Sequence, residues 1–525
     1  MNGIPSGTDC QVLVVGAGPT GLVLAAELLA RGIRTRIIDK GDGAALQARA
    51  IGIHARTLEV LDMMGLAQDF IERGQVVRYL RMYSLDRCLV NLEFARCGSR
   101  FGFLLDLPQD QTERLLRARI AELGGVVENG TELTGLTVGG DFVTATVHGR
   151  GAAAETITAG YVVGCDGAHS QVRRELGLAF DGHPYPLDWL LADVLLDWED
   201  LAQDATHAFF RPDGLPVIFF PMRDRRWRLT LPFAGSRPGQ APDLAEIQRL
   251  TDERAPRPVI VSDPTWLACF RCHRRSANAY RRGRALLAGD AVHIHTPAGG
   301  QGLNTGIMDA HNLGWKLALV ASGRAPDALL DTYGAERRPV ARDVLRLTHT
   351  LVRLGTVSQP VKRGIRDVVV PALGSSAVVQ RRAARRISQI YVSYPPGPVV
   401  RPDRGRGGGP RAGQRVPDIR VVGAGGQATT LHGALRCGRH VLIVAPAHMA
   451  SVLADPALRA HDADLDVVTA DAGDAAVFRG IGTGRVVLVR PDGHVAARGR
   501  PGDMRAISGY LRDLFAAPAP RHVPA

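Results

Sequence analysis

The stretch Val12–Gly21, VLVVGAGPTG, decides the fold. Gln11 to Val15 is apolar and β-branched, as a strand buried in a parallel sheet should be. Gly16, Gly18 and Gly21 then spell G-x-G-x-x-G. Gly16 permits a tight turn, Gly18 lets backbone approach a pyrophosphate, and Gly21 allows close helix–strand packing. Phosphates would lie at a helix N-terminus, where free N–H groups and the dipole favour anions. Pro19 suits the first turn of that helix, because its missing donor costs nothing there. Thr20 follows it in the same turn. The helix should run to about Arg31, with Gly32 closing it and a second strand from Ile33 to Ile38. Asp39 ends that strand, beside Lys40, where a carboxylate can accept from both hydroxyls of an adenosine ribose. An acid there disfavours a 2′-phosphate, so the site should hold FAD or NAD rather than NADP.

Two further signatures follow in order: GCDGAHSQVR (Gly164–Arg173) and LLAGDAVHIHTPAGGQGLNTGIMDAHNLGWKL (Leu286–Leu317). A lone G-x-G-x-x-G is common; the three in this order are far more restrictive. In the third, a glycine-rich loop opens a helix expected over Leu303 to Leu319. Its first N–H groups would face whatever anionic group lies against the loop.

Bulk properties set the frame. A chain of 525 residues suggests two or three domains with a large core. Apolar content of 45% and charged content of 22% are those of an ordinary globular protein. No targeting pattern is visible and Val12–Ala30, though apolar, contains Glu27, three glycines and a proline, so a cytoplasmic protein without a membrane anchor is expected. Seven scattered cysteines point to reduced thiols. The formal charge of +12 is spread as arginine along the chain. Its densest runs, Arg381–Arg386 and Arg401–Arg415, have no interleaved aromatics, which argues against nucleic acid as a partner.

Residues 1–180 and 276–395 show strand–helix alternation and carry all three signatures, so they should form one Rossmann-like α/β domain in two parts. Between them, 181–275 changes texture. His207–Phe233 alternates short aromatic or β-branched strands with turns such as Asp213–Gly214, as in an inserted antiparallel substrate-binding sheet. Residues 396–418 are rich in Pro, Gly and Arg and read as a linker. Residues 419–525 should be a small α/β domain with strands near His440–Ala445, Asp466–Ala470 and Gly484–Arg490 and a last helix near Asp503–Phe515. It looks like a thioredoxin fold, but Cys437 is its only cysteine, so redox use is not expected and packing or dimer contact is.

With these features placed, the chain resembles the single-component flavin monooxygenases of the p-hydroxybenzoate hydroxylase class, nearest the aromatic-polyketide hydroxylases and rifampicin monooxygenases. The resemblance spans nearly the whole length. It implies FAD as cofactor, NADPH or NADH as transient reductant and O2 as co-substrate. It also implies that Arg49, within Ala48–Leu66, lies beside the flavin and pyrophosphate, and that Gln109, within LPQDQTERLL, covers the FAD edge. Thr134 joins the cofactor set. Asp166 and Gly167 serve FAD and the reductant, while Gly289 and Asp290 hold the ribityl hydroxyls. Pro297, Gly300, Gly302, Leu303 and Asn304 place backbone amides against the flavin pyrimidine ring. Asp39 stands where glutamate is commoner, and His169 where small or polar residues often occur.

The implied reaction is hydroxylation of a large, electron-rich aromatic (polyketide or antibiotic-like) through a flavin C4a-hydroperoxide. Alternatives are Baeyer–Villiger oxygen insertion beside a ketone, or a non-catalytic FAD-binding scaffold or redox sensor. Flavin halogenation is disfavoured, because the W-x-W-x-I-P type signature and its lysine are missing. No dedicated acid–base residue stands out. His54, Tyr83, Arg223 and Trp227 are candidates for touching substrate. His293 and His295 have no third ligand at sensible spacing and Cys269/Cys272 form a lone C-x-x-C, so no metal is expected. Monomer and homodimer both remain open.

Overall fold

The structure, a computed structural model, describes residues 7–44, 50–84, 87–211, 215–235, 240–355, 371–372, 374, 376–402, 408–470 and 485–515. Arg49 and the Asp213–Gly214 turn fall outside them. The chain begins with β1 (Cys10–Val15), α1 (Pro19–Leu29) and β2 (Thr35–Asp39), close to the expected bounds. Gly32, in the left-handed region at φ 72°, turns the chain back after α1. The short strand β3 (Gly52–Ile53) leads into α2 (Ala55–Met63) and α3 (Ala67–Arg73). Then come β4 (Gln75–Val77), β5 (Tyr79–Ser84), β6 (Arg87–Glu93), β7 (Leu104–Asp106) and α4 (Gln109–Glu122). Strands β8 (Val127–Asn129), β9 (Glu132–Val138), β10 (Val143–His148) and β11 (Ala154–Gly164) precede α5 (Gln171–Glu175).

The inserted region holds β12 (Phe180–Asp197), β13 (Ala205–Phe210), β14 (Val217–Pro221), β15 (Arg226–Phe233), α6 (Leu244–Arg254) and β16 (Ile260–Ala277). The chain returns through β17 (Arg281–Arg282), β18 (Ala285–Leu287) and β19 (His293–Ile294) to α7 (Gln301–Ala321), α8 (Asp331–Gly355) and α9 (Ala377–Ile387).

The first sheet runs β17-β18-β11-β1-β2-β8, with β9 and β10 attached beside β11. Its central pairs, β18–β11, β11–β1 and β1–β2, are parallel. Helices α1 and α7 pack closely together: a Cβ on Gly314 would come 2.9 Å from the Cβ of Glu27. Glu27 is buried in α1, where Arg31 and His311 (2.9 Å) outweigh the cost of its burial and hold its carboxyl down to about 2.

The second sheet runs β19-β16-β12-β15-β14-β13-β5-β6. It takes β5 and β6 from the segment that the sequence reading left in the first domain, and β13 pairs with β5 in parallel. Apolar clusters cover both faces of its central strands. One face buries Leu190, Val194, Phe219, Trp227 and Leu229 under Ile247 and Leu250 of α6. The other carries Trp189, Leu191, Phe270 and the partly buried Trp266.

The C-terminal region has β20 (Arg420–Gly423), β21 (Ala428–Thr430), α10 (Leu431–Leu435), β22 (His440–Val444), α11 (Met449–Leu453), α12 (Pro456–Arg459) and β23 (Leu465–Ala470). It ends with β24 (Val486–Val489), β25 (Val495–Gly499) and α13 (Arg505–Leu514). The core order β23-β22-β24-β25, with β22 parallel to β23 and β24 and β25 antiparallel, is that of a thioredoxin-like sheet. The stretch read as a linker packs at both ends, with Val399, Val400, Arg415 and Val416 buried. Composition announced a loop; the side chains spaced within it dock on the domains it joins. Among the described residues no helix is long and apolar enough to cross a membrane.

Candidate active site

The three signatures meet at the carboxyl ends of neighbouring strands, where α/β sheets place their ligands. Val15 pairs with Gly164, and Gly164 with Leu287. Gly16 has φ 103°, and a Cβ on it would come 2.5 Å from the carbonyl oxygen of Cys165. A Cβ on Gly21 would overlap the carbonyl oxygen of Gly16. Above Gly18, by contrast, nothing lies within 4 Å, so the turn is open where a pyrophosphate would approach. Asp39 braces this turn, accepting from Ala17 N (2.6 Å) and Gly41 N (2.7 Å), with exposed Lys40 beside it. Asp166 caps α5 through Gln171 N (2.6 Å) and Val172 N (3.1 Å), while its other carboxylate oxygen has no partner among the described residues. Thr20 packs on Gly289, where φ is 63° and a Cβ would come 2.6 Å from the threonine hydroxyl. Asp290 is exposed in the single 3-10 turn Gly289–Ala291 that follows.

The loop Pro297–Asn304 opens α7, which starts at Gln301, two residues earlier than expected. Gly299 and Gly300 are both left-handed, at φ 76° and 61°, and turn the chain so that the first N–H groups of α7 have no acceptor within the helix. Side chains hold the loop from behind. Asn304 donates to Gly52 O (2.8 Å) and Gly300 O (2.7 Å) and accepts from His54 N (2.8 Å). Gln301 donates to Gly299 O (2.7 Å) and Ile387 O (3.1 Å), and Gln389 donates to Gln301 (2.8 Å). His54 Nε2 donates to Gly299 O (2.8 Å); burial pushes the imidazole down to about 4, so it is neutral. His54, a candidate for touching substrate, is thus part of the loop's support.

The other candidates fall elsewhere. Gln109 starts α4, its N–H on Ala50 O (3.2 Å), which ties that helix to the segment before β3. Thr134 is exposed on β9 with its hydroxyl on Thr146 O (3.3 Å). Arg223 is exposed and donates to Glu72 O. Trp227 and Tyr83 sit on the α6 face of the second sheet. Trp227 is buried there, and Tyr83 stacks on Phe209 (4.6 Å between centroids) and meets His207 Nδ1 (3.3 Å). The structure does not bring Arg223, Trp227 or Tyr83 to the glycine loops.

The opposite face reaches the segment before β3, next to Gly52, to whose carbonyl Asn304 donates. Arg228, one residue on from Trp227, donates to Ala50 O (3.3 Å) and pairs with Asp193 through two 2.7 Å bonds. Its guanidinium lies 5.0 Å from the centre of the Trp266 ring. Strand pairing puts Asp193, Leu191 and Trp189 of β12 and Trp266 and Phe270 of β16 on this same face. Asp106, paired with Gly52 across β7 and β3, is buried with neither carboxylate oxygen hydrogen-bonded among the described residues. Burial pushes it up to about 8, and only Arg228 works against that. Sequence reading missed Arg228, Asp193 and Asp106. The two-residue period of RWRLTLPF holds the signal for Arg228, since it separates Trp227, Leu229 and Leu231 from Arg228 and Thr230.

Asp62, Asp418 and His432 also come together, with ligand atoms within 4.8 Å. Arg100 bridges both acids (2.9 and 3.1 Å), so a guanidinium balances their charge without a metal ion.

An open turn over Gly18, an acid at the end of β2 and a helix N-terminus with unpaired first N–H groups fit FAD. Comparison with known proteins agrees. Residues 9–348 match the family described as FAD binding domain, and 409–518 match the aromatic-ring hydroxylase C-terminal family. The chain is 36% identical to 6-methylpretetramide 4-monooxygenase of Streptomyces rimosus, over 98% of this chain and 95% of that protein. It is 38% identical to rifampicin monooxygenase of Streptomyces venezuelae, over 73% and 79%. The solved structure of OxyS anhydrotetracycline hydroxylase from Streptomyces rimosus superposes with a TM-score of 0.79 at 33% identity, covering 97% of this chain and all of that one. The chain belongs to the flavin-dependent aromatic hydroxylases and is an FAD-dependent monooxygenase that uses O2.

Proposed function

We propose that the protein hydroxylates a large, electron-rich polycyclic aromatic of the polyketide or antibiotic kind, with NADPH or NADH as reductant. The observation that carries this is the wall of Trp189, Leu191, Trp266 and Phe270 on the sheet face that Arg228 ties to Ala50, two residues before Gly52, whose carbonyl accepts from Asn304 of the loop Pro297–Asn304. Flat aromatic side chains suit a flat fused-ring ligand. Relatives named for tetracycline-type and rifampicin substrates support the class. Bound FAD supplies reduction by the nicotinamide and activation of dioxygen. The chain's own residues bind, orient and exclude water.

In this reading the turn Gly16–Gly21 and Arg49 receive the pyrophosphate, and Asp39 takes the adenosine ribose. Asp290 takes the ribityl hydroxyls, Gln109 covers the flavin edge, and the amides of Gly300–Asn304 face the pyrimidine ring. First-turn N–H groups and the α7 dipole would favour negative charge on that ring. The test is a screen of polycyclic phenols for stimulated NADPH and NADH oxidation in air, followed by product mass. A gain of one oxygen atom on such a ring is expected; a holoprotein whose NAD(P)H consumption no polycyclic phenol stimulates would overturn the reading.

A further inference from the structure

We propose that the turn Arg490–His494, between β24 and β25 of the C-terminal domain, is a positioning element of the FAD site. It anchors from outside the helices whose ends hold the loop Pro297–Asn304. The turn is sunk into the first domain: Arg490, Asp492 and His494 are each at most 1% exposed. Gly493, at φ 75°, packs on α2, where a Cβ would lie in contact with Met63 Sδ (3.4 Å) and Arg56 Nη2 (3.5 Å).

Three routes lead from this turn to the cofactor loops. Through α2, Arg56 donates to Asp492 O (2.7 Å), and two residues earlier His54 grips Gly299 O and Asn304. Through α7, Asn312 donates to Asp492 (3.3 Å) and Glu336 (2.7 Å), and Lys316 donates to Glu336 (2.7 Å). Arg490 closes this group with both Nη atoms on Glu336 (2.5 and 2.9 Å). Through α8, the next residue, Arg337, donates to Asp309 (2.7 Å) and to Thr305 O (3.3 Å). Asp309 in turn accepts from Gly289 N (3.3 Å) and pairs with His293 (2.7 Å). Tyr394 joins that route to the turn, its hydroxyl 3.4 Å from Arg337 and its ring 4.4 Å from that of His494.

A buried ion network is a poor source of stability compared with packed hydrophobes, but one whose charges are paired and hydrogen-bonded fixes geometry. This one connects the thioredoxin-like domain to both glycine loops. Thermodynamic linkage then makes the coupling reciprocal: FAD should steady the turn as much as the turn steadies FAD.

The first test compares amide hydrogen exchange in the full-length holoprotein and the same protein stripped of FAD. Exchange across 486–499 should quicken several-fold on stripping. The second measures FAD dissociation constants and flavin reduction potentials of Arg490→Lys and Tyr394→Phe. Arg490→Lys should weaken FAD about tenfold and Tyr394→Phe by a smaller factor, within the usual range of coupling between sites. Should Arg490→Lys fail to fold, Tyr394→Phe and the exchange experiment on the unaltered protein decide. A turn that only stabilises would lower the melting temperature of holo and apo forms alike. Unchanged FAD affinity and potential, with exchange at 486–499 indifferent to FAD, would overturn the proposal.

Discussion

Asp492 and Asp106 are both fully withdrawn from water, and the protein treats them in opposite ways. Asp492, at the junction with the C-terminal domain, has Arg490, Asn312 and the His494 backbone on its carboxylate; Arg490 and His494 overcome its burial and hold it well below the ordinary carboxylate range. Asp106, opposite Gly52 and near Arg228, has no hydrogen-bond donor among the described residues and is pushed up to about 8. The first arrangement spends charge on fixed geometry; the second leaves a buried acid uncompensated. Stability is therefore defended at the domain junction and conceded beside the candidate substrate face, a pattern expected of working sites.

Breaking the satisfied region should have the largest effect. Glu336→Gln keeps the shape but leaves Arg490 and Lys316 buried with too little counter-charge, which should cost about 3–5 kcal/mol in denaturant unfolding of the holoprotein. Burial opposes ionisation of Glu336, but Arg490 and Lys316 prevail and hold it down to about 2. An acid depressed in the folded state stabilises it above its unfolded pKa. The contribution should therefore be intact above about pH 4.3 and fade as pH falls towards 2. A loss under about 1 kcal/mol at neutral pH would mean that the network is ornamental.

Asp106→Asn should act in the opposite direction. The unfolded chain ionises this acid above about pH 4, whereas the folded protein keeps its proton until about 8. The cost of burying it grows across that window and levels off above it. Asparagine removes the cost, so the variant should be more stable by about 4–5 kcal/mol at pH 8 and unchanged at pH 4. Melting curves at the two pH values check this. Equal melting temperatures for variant and wild type at pH 8 would show that Asp106 is ionised and compensated.

How far the sequence revealed these regions follows from what local patterns encode. The glycine positions were legible because backbone geometry at Gly16, Gly21 and Gly289 excludes a side chain, whatever the distant context. The alternation in β15 was equally visible, but not which face meets the first domain. With both faces of the sheet covered, Trp227 and Arg228 are each compatible with either side. Joining of β5 and β6 to the second sheet is a long-range pairing with no local mark. Pro491-Asp492-Gly493 reads as an exposed turn, and only the assembled fold shows it buried against Arg56. The contacts of His54 with Gly299 O and Asn304 join residues far apart in the chain, and nothing local marks them.

The two faces of the second sheet give a finer comparison. Trp266, on the Arg228 side, has a buried indole N–H without a partner among the described residues. It is suited to a carbonyl on a bound aromatic. Trp266→Phe keeps a ring and removes that donor, at a cost of about 1–1.5 kcal/mol in substrate binding. The Michaelis constant should rise about tenfold with FAD content unchanged. An unaltered constant would place the substrate away from this wall.

The smallest effect belongs to the α6 face. Tyr83→Phe removes one 3.3 Å bond to His207 and leaves the stack on Phe209 in place. A single neutral hydrogen bond on a half-buried ring contributes about 0.5–1 kcal/mol, so the melting temperature should fall only slightly. Substrate affinity and NADPH consumption should be untouched, because Tyr83 points away from Arg228 and the aromatic wall. The Trp266→Phe and Tyr83→Phe pair therefore separates position in the sequence from position in the fold. If Tyr83→Phe raised the Michaelis constant and Trp266→Phe did not, the substrate would lie against the α6 face, and the face that meets the flavin would have to be reassigned.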